Sequence, residues 1–286
     1  MKTILSIQSH VAMGYVGNRA ASFPLQRLGF EVIAVNTVEL SNHTGYGEWT
    51  GRNLSPSEIA SIISGVEARG GLEQCDAVLT GYLGDRETGQ VILDAVAKVR
   101  RCNSRALFCC DPVMGDQGQG FFVQPGIPDF MRDAIAPAAD ILTPNQFELE
   151  FLSGGPIASL EQALLATAKV RNRNTKYVLL TSFSRIDASP ATIEMLLDSP
   201  DGAWLVSTPK VLLSPPPNGA GDCVTALFLA HFLKTRAPAQ ALGYAASAIY
   251  AVFQATARAG TRELQIIAAQ DELSCPSKTF HVERVQ

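Results

Sequence analysis

Pro215-Pro216-Pro217-Asn218-Gly219-Ala220-Gly221-Asp222 runs straight into the apolar segment Val224–Leu233. Three successive prolines fit neither a helix interior nor a central strand, so the chain must arrive there extended. Two glycines then allow a tight backbone turn where a helix-length apolar run begins. A turn of this kind aims unpaired N–H groups and the positive end of a helix dipole at one point, which suits phosphate. Asp222 sits oddly in that setting, because a carboxylate repels phosphate. Two readings are open. Asp222 is a general base that takes a proton from a hydroxyl while Gly219, Ala220 and Gly221 hold a transferring phosphoryl group. Alternatively it only complements the dipole at a helix start.

Working outward, short apolar runs alternate with longer helical patterns. Thr3–Ile7, Glu31–Val35, Ala77–Thr80, Ala106–Cys110, Asp140–Leu142, Lys176–Leu180 and Ala203–Val206 read as strands. Most are continuously apolar, as strands buried on both faces should be. Ser55-Pro56-Ser57-Glu58 carries an N-cap serine, a proline at the first helical position and a glutamate at N3. Thr143-Pro144-Asn145-Gln146 reads the same way, and Ser159 opens a helix running to about residue 171. The C-terminal third is helical over Ala220–Lys234 and Ala239–Ala257. This alternation predicts an α/β fold: a mostly parallel central sheet in a three-layer α/β/α arrangement, with residues 1–286 forming one domain. Ligands then bind beyond the carboxyl ends of the strands. Those positions are Gln8-Ser9-His10, Asn36-Thr37, Gly81-Tyr82, Asp111-Pro112, Thr143-Pro144-Asn145 and Thr181-Ser182.

Composition excludes several classes of function. A formal net charge of −4 leaves no basic excess to replace phosphate counterions, so no nucleic-acid partner is expected. The six cysteines lack C-x-x-C spacing, which fits reduced thiols in the cytoplasm. The apolar run Thr225–Leu233 is about half a membrane span, and no membrane partner is expected.

Neither G-x-x-x-x-G-K-S/T nor a G-x-G-x-x-G after the first strand is present, so a phosphate site must be built by other means. Asp111 follows an apolar strand, and Asn145 and Glu148 are three apart on one helical face. Oxygen ligands of that type suit Mg²⁺, which takes one or two carboxylates, waters and substrate phosphates. Ser41-Asn42-His43-Thr44-Gly45-Tyr46-Gly47 is a polar, glycine-interrupted loop. Tyr82, set between Gly81 and Gly84, offers a ring on which a planar ligand can stack. Gly115-Asp116-Gln117-Gly118-Gln119-Gly120 reads either as a flap over the site or as a surface loop.

Gly219-Ala220-Gly221-Asp222 and Asn145-x-x-Glu148 resemble the signatures of the ribokinase-like superfamily. Gln8-Ser9-His10-Val11 through Gly17-Asn18, Phe23-Pro24-Leu25-Gln26-Arg27-Leu28-Gly29 and Ser41–Tyr46 resemble its pyridoxal kinase branch, the bacterial PdxY group. The resemblance covers nearly the whole chain. It implies ATP-dependent phosphorylation of the 5′-hydroxymethyl group of pyridoxal. The alternatives are a kinase for pyridoxine, pyridoxamine or hydroxymethylpyrimidine, or a carrier of these vitamers. It further implies that Ser9, Thr44, Gly45 and Tyr82 hold the pyridine ring and that Asp222 acts as base. Asp111, Thr143, Glu148, Thr181 and Thr208, Pro209, Lys210 and Val211 would contact ATP or its metal. Mg²⁺ would be held by Asp111 and Glu148, with Asn145 acting through its waters. A monovalent cation such as K⁺ and a homodimer are implied as well. Two positions depart from the family pattern. Phe121 stands where relatives often carry a cysteine near the substrate aldehyde. Thr181-Ser182-Phe183 stands where many carry a lysine near the ATP phosphates.

Overall fold

The computed structural model describes residues 1–171 and 174–286. In chain order the first half is β1 (Thr3–Val11), α1 (Asn18–Arg27), β2 (Glu31–Leu40), β3 (Gly51–Asn53), α2 (Pro56–Glu67), β4 (Cys75–Thr80), α3 (Arg86–Cys102) and β5 (Leu107–Cys110). A small ribbon of β6 (Gly115–Asp116) and β7 (Gly120–Phe121) follows, then α4 (Ile127–Phe130), α5 (Ala136–Ala138) and β8 (Ile141–Leu142). The remainder is α6 (Gln146–Ser153), α7 (Leu160–Val170), β9 (Tyr177–Phe183), β10 (Thr192–Ser199), β11 (Gly202–Pro209), α8 (Ala220–Thr235), α9 (Pro238–Ala259), α10 (Gln270–Ser274) and β12 (Val282–Arg284).

Ten strands form one sheet in the order β12-β11-β10-β9-β8-β5-β4-β1-β2-β3. The central strands β2, β1, β4, β5, β8 and β9 are mutually parallel. From β1 the chain turns to β2 on one side and later to β4 on the other. That reversal opens a crevice at the carboxyl ends of β1 and β4, where α/β sheets bind ligands. Two apolar layers cover the sheet. One face packs α1, α8, α9 and α10 through residues such as Leu25, Leu227, Leu242 and Leu273. The other packs α2 to α7 through Ile59, Ile92, Met131, Leu149 and Ala163. Helix α8 is buried from Cys223 to Leu233, which explains why its sequence is apolar on every side.

Several sequence expectations are corrected. β1 and β2 run past Ile7 and Val35, so Ser9 and Thr37 lie inside strands rather than beyond them. The β1–β2 register slips between Gln8 and His10, a bulge that re-aims side chains beside the crevice. The helix expected from Thr143 starts at Gln146. Asn145, not Thr143, caps it, because a reciprocal box with Glu148 satisfies both backbone N–H groups. The outer strands β9, β10, β11 and β12 pair antiparallel, and β10 has no counterpart among the strands read from the sequence. The glycine-rich segment 115–120 is a two-stranded ribbon rather than a plain loop.

Candidate active site

Gly219 opens α8 at φ 80°, in the left-handed region, and a Cβ there would lie 1.8 Å from the Tyr15 carbonyl oxygen. Only glycine meets both demands. Among the described residues no side chain caps the helix, so the N–H groups of its first turn remain available as donors. This close approach is one reason the β1–α1 loop and the start of α8 form a single structure.

Asp222 lies on that first turn. Its Oδ2 accepts a 2.9 Å hydrogen bond from the Gly17 N–H. Its Oδ1 points the other way, 3.4 Å from where a Gly81 Cβ would stand, and Gln8 Oε1 is 2.7 Å from the same point. One carboxylate oxygen is therefore anchored while the other faces the crevice between β1 and β4. Burial raises the Asp222 pKa from its ordinary value, opposed by the Gly17 N–H, which favours the charged form. A carboxylate raised in this way and fixed by one oxygen is suited to accept a proton.

Asp111 continues β5 and is buried. Its Oδ2 lies 3.4 Å from where a Gly221 Cβ would stand, and Thr225 Oγ1 approaches it at 3.5 Å. Thr225 shares a 2.7 Å hydrogen bond with Thr143, which ties α8 to the ends of β5 and β8. Burial holds the Asp111 carboxyl well above the usual range, with repulsion from Glu148 and then Asp222 adding to it. Glu148 accepts from the Met114 N–H through Oε1 and from the Asn145 N–H through Oε2, both at 2.9 Å. Burial nevertheless pushes its pKa up to about 8. Asn145 accepts from the Glu148 N–H and donates to the Gly115 carbonyl at 2.8 Å. Asp111 thus lies where the charges of both Glu148 and Asp222 repel its own, and a cation offers the direct relief. Among the described residues, however, no three His, Cys, Asp or Glu side chains form a metal cage by themselves. A divalent ion fits this donor set only if phosphates and waters complete its shell.

On the other side of the crevice, Ser9 presses against Gly17: a Cβ on Gly17 would fall 2.1 Å from Ser9 O and 2.4 Å from its Oγ. Tyr82 is half-buried beside Gly81, and its carbonyl accepts from Thr37 Oγ1 at 2.8 Å. Thr44 and Gly45 lie on an exposed helical turn beyond the edge of the sheet. Thr181 is turned inward, with its N–H and hydroxyl both donating to Pro144 O. Strand β11 runs in the same sense as β9, so Thr208, Pro209, Lys210 and Val211 leave the sheet at the crevice end. The structure also adds residues that sequence reasoning did not single out as functional: the Gly17 N–H, Tyr15, Thr225 and the Met114 N–H. Gly14 and Gly17, both at positive φ, were the available signal for the first of these.

A family model described as phosphomethylpyrimidine kinase matches residues 34–266. The chain is 56% identical to pyridoxal kinase PdxY of Rubrobacter xylanophilus, over 99% of this chain and 97% of that one. It is 51% identical to pyridoxal kinase PdxY of Deinococcus radiodurans, over 100% and 97%. The pyridoxal kinase of Leishmania donovani in complex with ADP and pyridoxamine superposes with a TM-score of 0.93 at 33% identity, over 100% of both chains. This chain belongs to the pyridoxal kinase family. Its fold is ribokinase-like.

Within that family the two departures acquire physical settings. Phe121 is not free over the crevice: its ring meets those of Phe147 and Phe151 edge-on, with centroids 5.0 and 5.1 Å away. It joins the ribbon to α6, the helix capped by the Asn145–Glu148 box. Thr181 contributes no charge, and its polar atoms are engaged with Pro144.

Proposed function

We propose that this chain transfers the γ-phosphoryl group of ATP to the 5′-hydroxymethyl oxygen of pyridoxal, giving pyridoxal 5′-phosphate and ADP. The observation that carries the proposal is Asp222, anchored through Oδ2 to Gly17 while Oδ1 faces the crevice at an uncapped helix start. Oδ1 takes the hydroxyl proton as the 5′ oxygen bonds to the γ-phosphorus. The bond from that phosphorus to the oxygen bridging to the β-phosphate breaks, and the electron pair leaves with ADP. The N–H groups of the Gly219–Asp222 turn hold the charge that builds on the phosphoryl oxygens. Ser9, Tyr82, Thr44 and Gly45 hold the ring on the β1–β4 side. Asp111, Thr143, Glu148, Thr181 and the 208–211 segment frame the nucleotide.

Mg²⁺, held by Asp111 and Glu148 with Asn145 acting through water, would neutralise the phosphates. K⁺ as a further cation, a homodimer and a cytoplasmic location complete the proposal. They rest on the family resemblance, and among the described residues no helix is long and apolar enough to cross a membrane. One continuous ten-stranded sheet supports reading residues 1–286 as one kinase domain. Incubation with pyridoxal and MgATP tests the central reading: equal amounts of pyridoxal 5′-phosphate and ADP are expected. Ring binding without ester formation would mark a carrier. Turnover of hydroxymethylpyrimidine but not pyridoxal would move the assignment to that substrate.

A further inference from the structure

The loop bearing Thr44 and Gly45 has no core of its own. The turn Thr44–Tyr46 contains no buried residue. The base of the loop is tied down by backbone bonds from Met13 N to Ser41 O and from Ser41 N to Thr50 O, at 2.9 and 2.8 Å. Its tip is held from elsewhere, by two consecutive residues that follow α9. Arg262 donates from Nη2 to the Gly45 carbonyl at 2.7 Å, and its guanidinium lies over the Tyr46 ring, 4.1 Å from the centroid. Glu263 Oε1 accepts from the Tyr46 hydroxyl at 2.5 Å. The segment is a firm anchor, because Leu264 and Ile266 are fully buried and Gln265 N donates to Thr256 Oγ1.

The second oxygen of Glu263 reaches the catalytic side. Oε2 accepts from the Tyr15 N–H at 3.1 Å and lies 2.5 Å from where a Gly14 Cβ would stand. Tyr15 abuts Gly219 through its carbonyl, and two residues later Gly17 donates to Asp222. One carboxylate thus spans two segments: the loop at the sheet edge, and the loop that orients the base and the phosphoryl turn. We propose that Arg262 and Glu263 are positioning residues for the acceptor substrate, latching the loop that carries Thr44 and Gly45 at a fixed distance from Asp222. The proposal rests on the reading that Thr44 and Gly45 hold the ring. Neither residue touches the reacting atoms. Their effect is to keep the ring pocket formed before substrate arrives, so that binding does not have to order the loop.

Steady-state kinetics of Arg262→Met, Glu263→Leu and Thr44→Ala, with pyridoxal and ATP varied separately, tests it. Removing the latch should raise KM for pyridoxal by ~10-fold, with KM for ATP and kcat at saturation changed less than ~2-fold, the pattern of lost substrate binding. Arg262→Lys, which keeps the charge and a donor, should recover part of the loss. Tyr46→Phe combined with Glu263→Leu should cost no more than Glu263→Leu alone, since the leucine already removes the hydrogen bond that the Tyr46 hydroxyl donates. A role confined to stability would lower the melting temperature and leave the two KM values together, and that result overturns the proposal. A raised KM for pyridoxal in Thr44→Ala, with none in the two latch variants, overturns the latch alone. Unchanged values in all three overturn both the latch and the ring-binding reading.

Discussion

At the start of α8, glycine at 219 is forced by a backbone atom 1.8 Å from its missing Cβ, and Asp222 is held by a loop some two hundred residues away in sequence. In the 41–47 loop nothing is buried at the tip, which is tied to the distant chain by hydrogen bonds with Arg262 and Glu263. Both regions sit at the same end of the sheet. The first is determined by packing, so a small change there has nowhere to relax. The second is determined by a few polar contacts, each worth about a kilocalorie per mole. The contrast fits the proposed roles: groups that would stabilise transferring charge are fixed by packing, whereas the acceptor pocket would be held formed by a polar latch.

The strongest way to break the comparison is at Asp222. Asp222→Asn keeps the shape and the Gly17 contact site but removes basicity, so kcat should fall by ~10²–10⁴, the usual worth of a positioned base. KM for pyridoxal should move little. A variant that keeps most of its kcat would show that the packed region merely complements the helix dipole and that the base lies elsewhere.

Glu148 offers the next largest effect. In the proposed reading its carboxylate holds Mg²⁺, so Glu148→Gln should raise the Mg²⁺ concentration needed for half-maximal rate by ~10-fold or more. An unchanged Mg²⁺ titration would remove Glu148 from the site. The pH dependence gives a second handle. Its folded pKa of about 8 lies above the ordinary 4.5, so the buried, protonated carboxyl favours the folded state. That contribution is full below about pH 4.5 and is lost as the pH rises through about 8. With divalent ions removed, the melting temperature of the wild type should fall more steeply across this range than that of Glu148→Gln. Parallel curves would contradict the raised pKa.

How far these regions were legible beforehand differs in the same way. The apolar strands, the Ser55–Glu58 box and the glycine turn before α8 are local patterns, and the structure keeps them. Strand β10 escaped notice because Glu194 and Asp198 interrupt its apolar run. Both are buried charges paired with Arg185 and Arg171, a compensation that residue types alone do not announce. The cap at Asn145 was misplaced for a related reason: Pro144 imitates a first helical residue, while the deciding partner is Glu148 three residues beyond the true cap. In the site, residue types pointed to Asp222, Asp111 and Glu148. The partners that orient them, Gly17 and Met114, act through backbone N–H groups, which leave no mark in residue identity. Arg262 and Glu263 lay in a stretch with no motif at all.

Phe121 carries the smallest expected effect and the finest distinction. A cysteine thiolate can add reversibly to an aldehyde, and phenylalanine cannot. On that ground alone Phe121→Cys would improve kcat/KM for pyridoxal and leave pyridoxine untouched, with a gain of about 1.4 kcal/mol appearing as a tenfold change in the ratio. The ribbon geometry argues otherwise. Phe121 packs edge-on against Phe147 and Phe151, and a Cβ on Gly115 would fall 2.4 Å from the Phe147 ring, so the ribbon is clasped to α6 by aromatic contact. Removing one ring sheds apolar area from that clasp whichever vitamer is bound. We therefore expect Phe121→Cys to lower kcat/KM for pyridoxal and pyridoxine alike, by ~2–5-fold, with their ratio preserved. Measuring both substrates on the one variant decides between the two. A gain for pyridoxal alone would place residue 121 against the aldehyde, and the ribbon would then belong with the acceptor pocket. An equal loss would place it with the packed region, as a lid held by its aromatic rings.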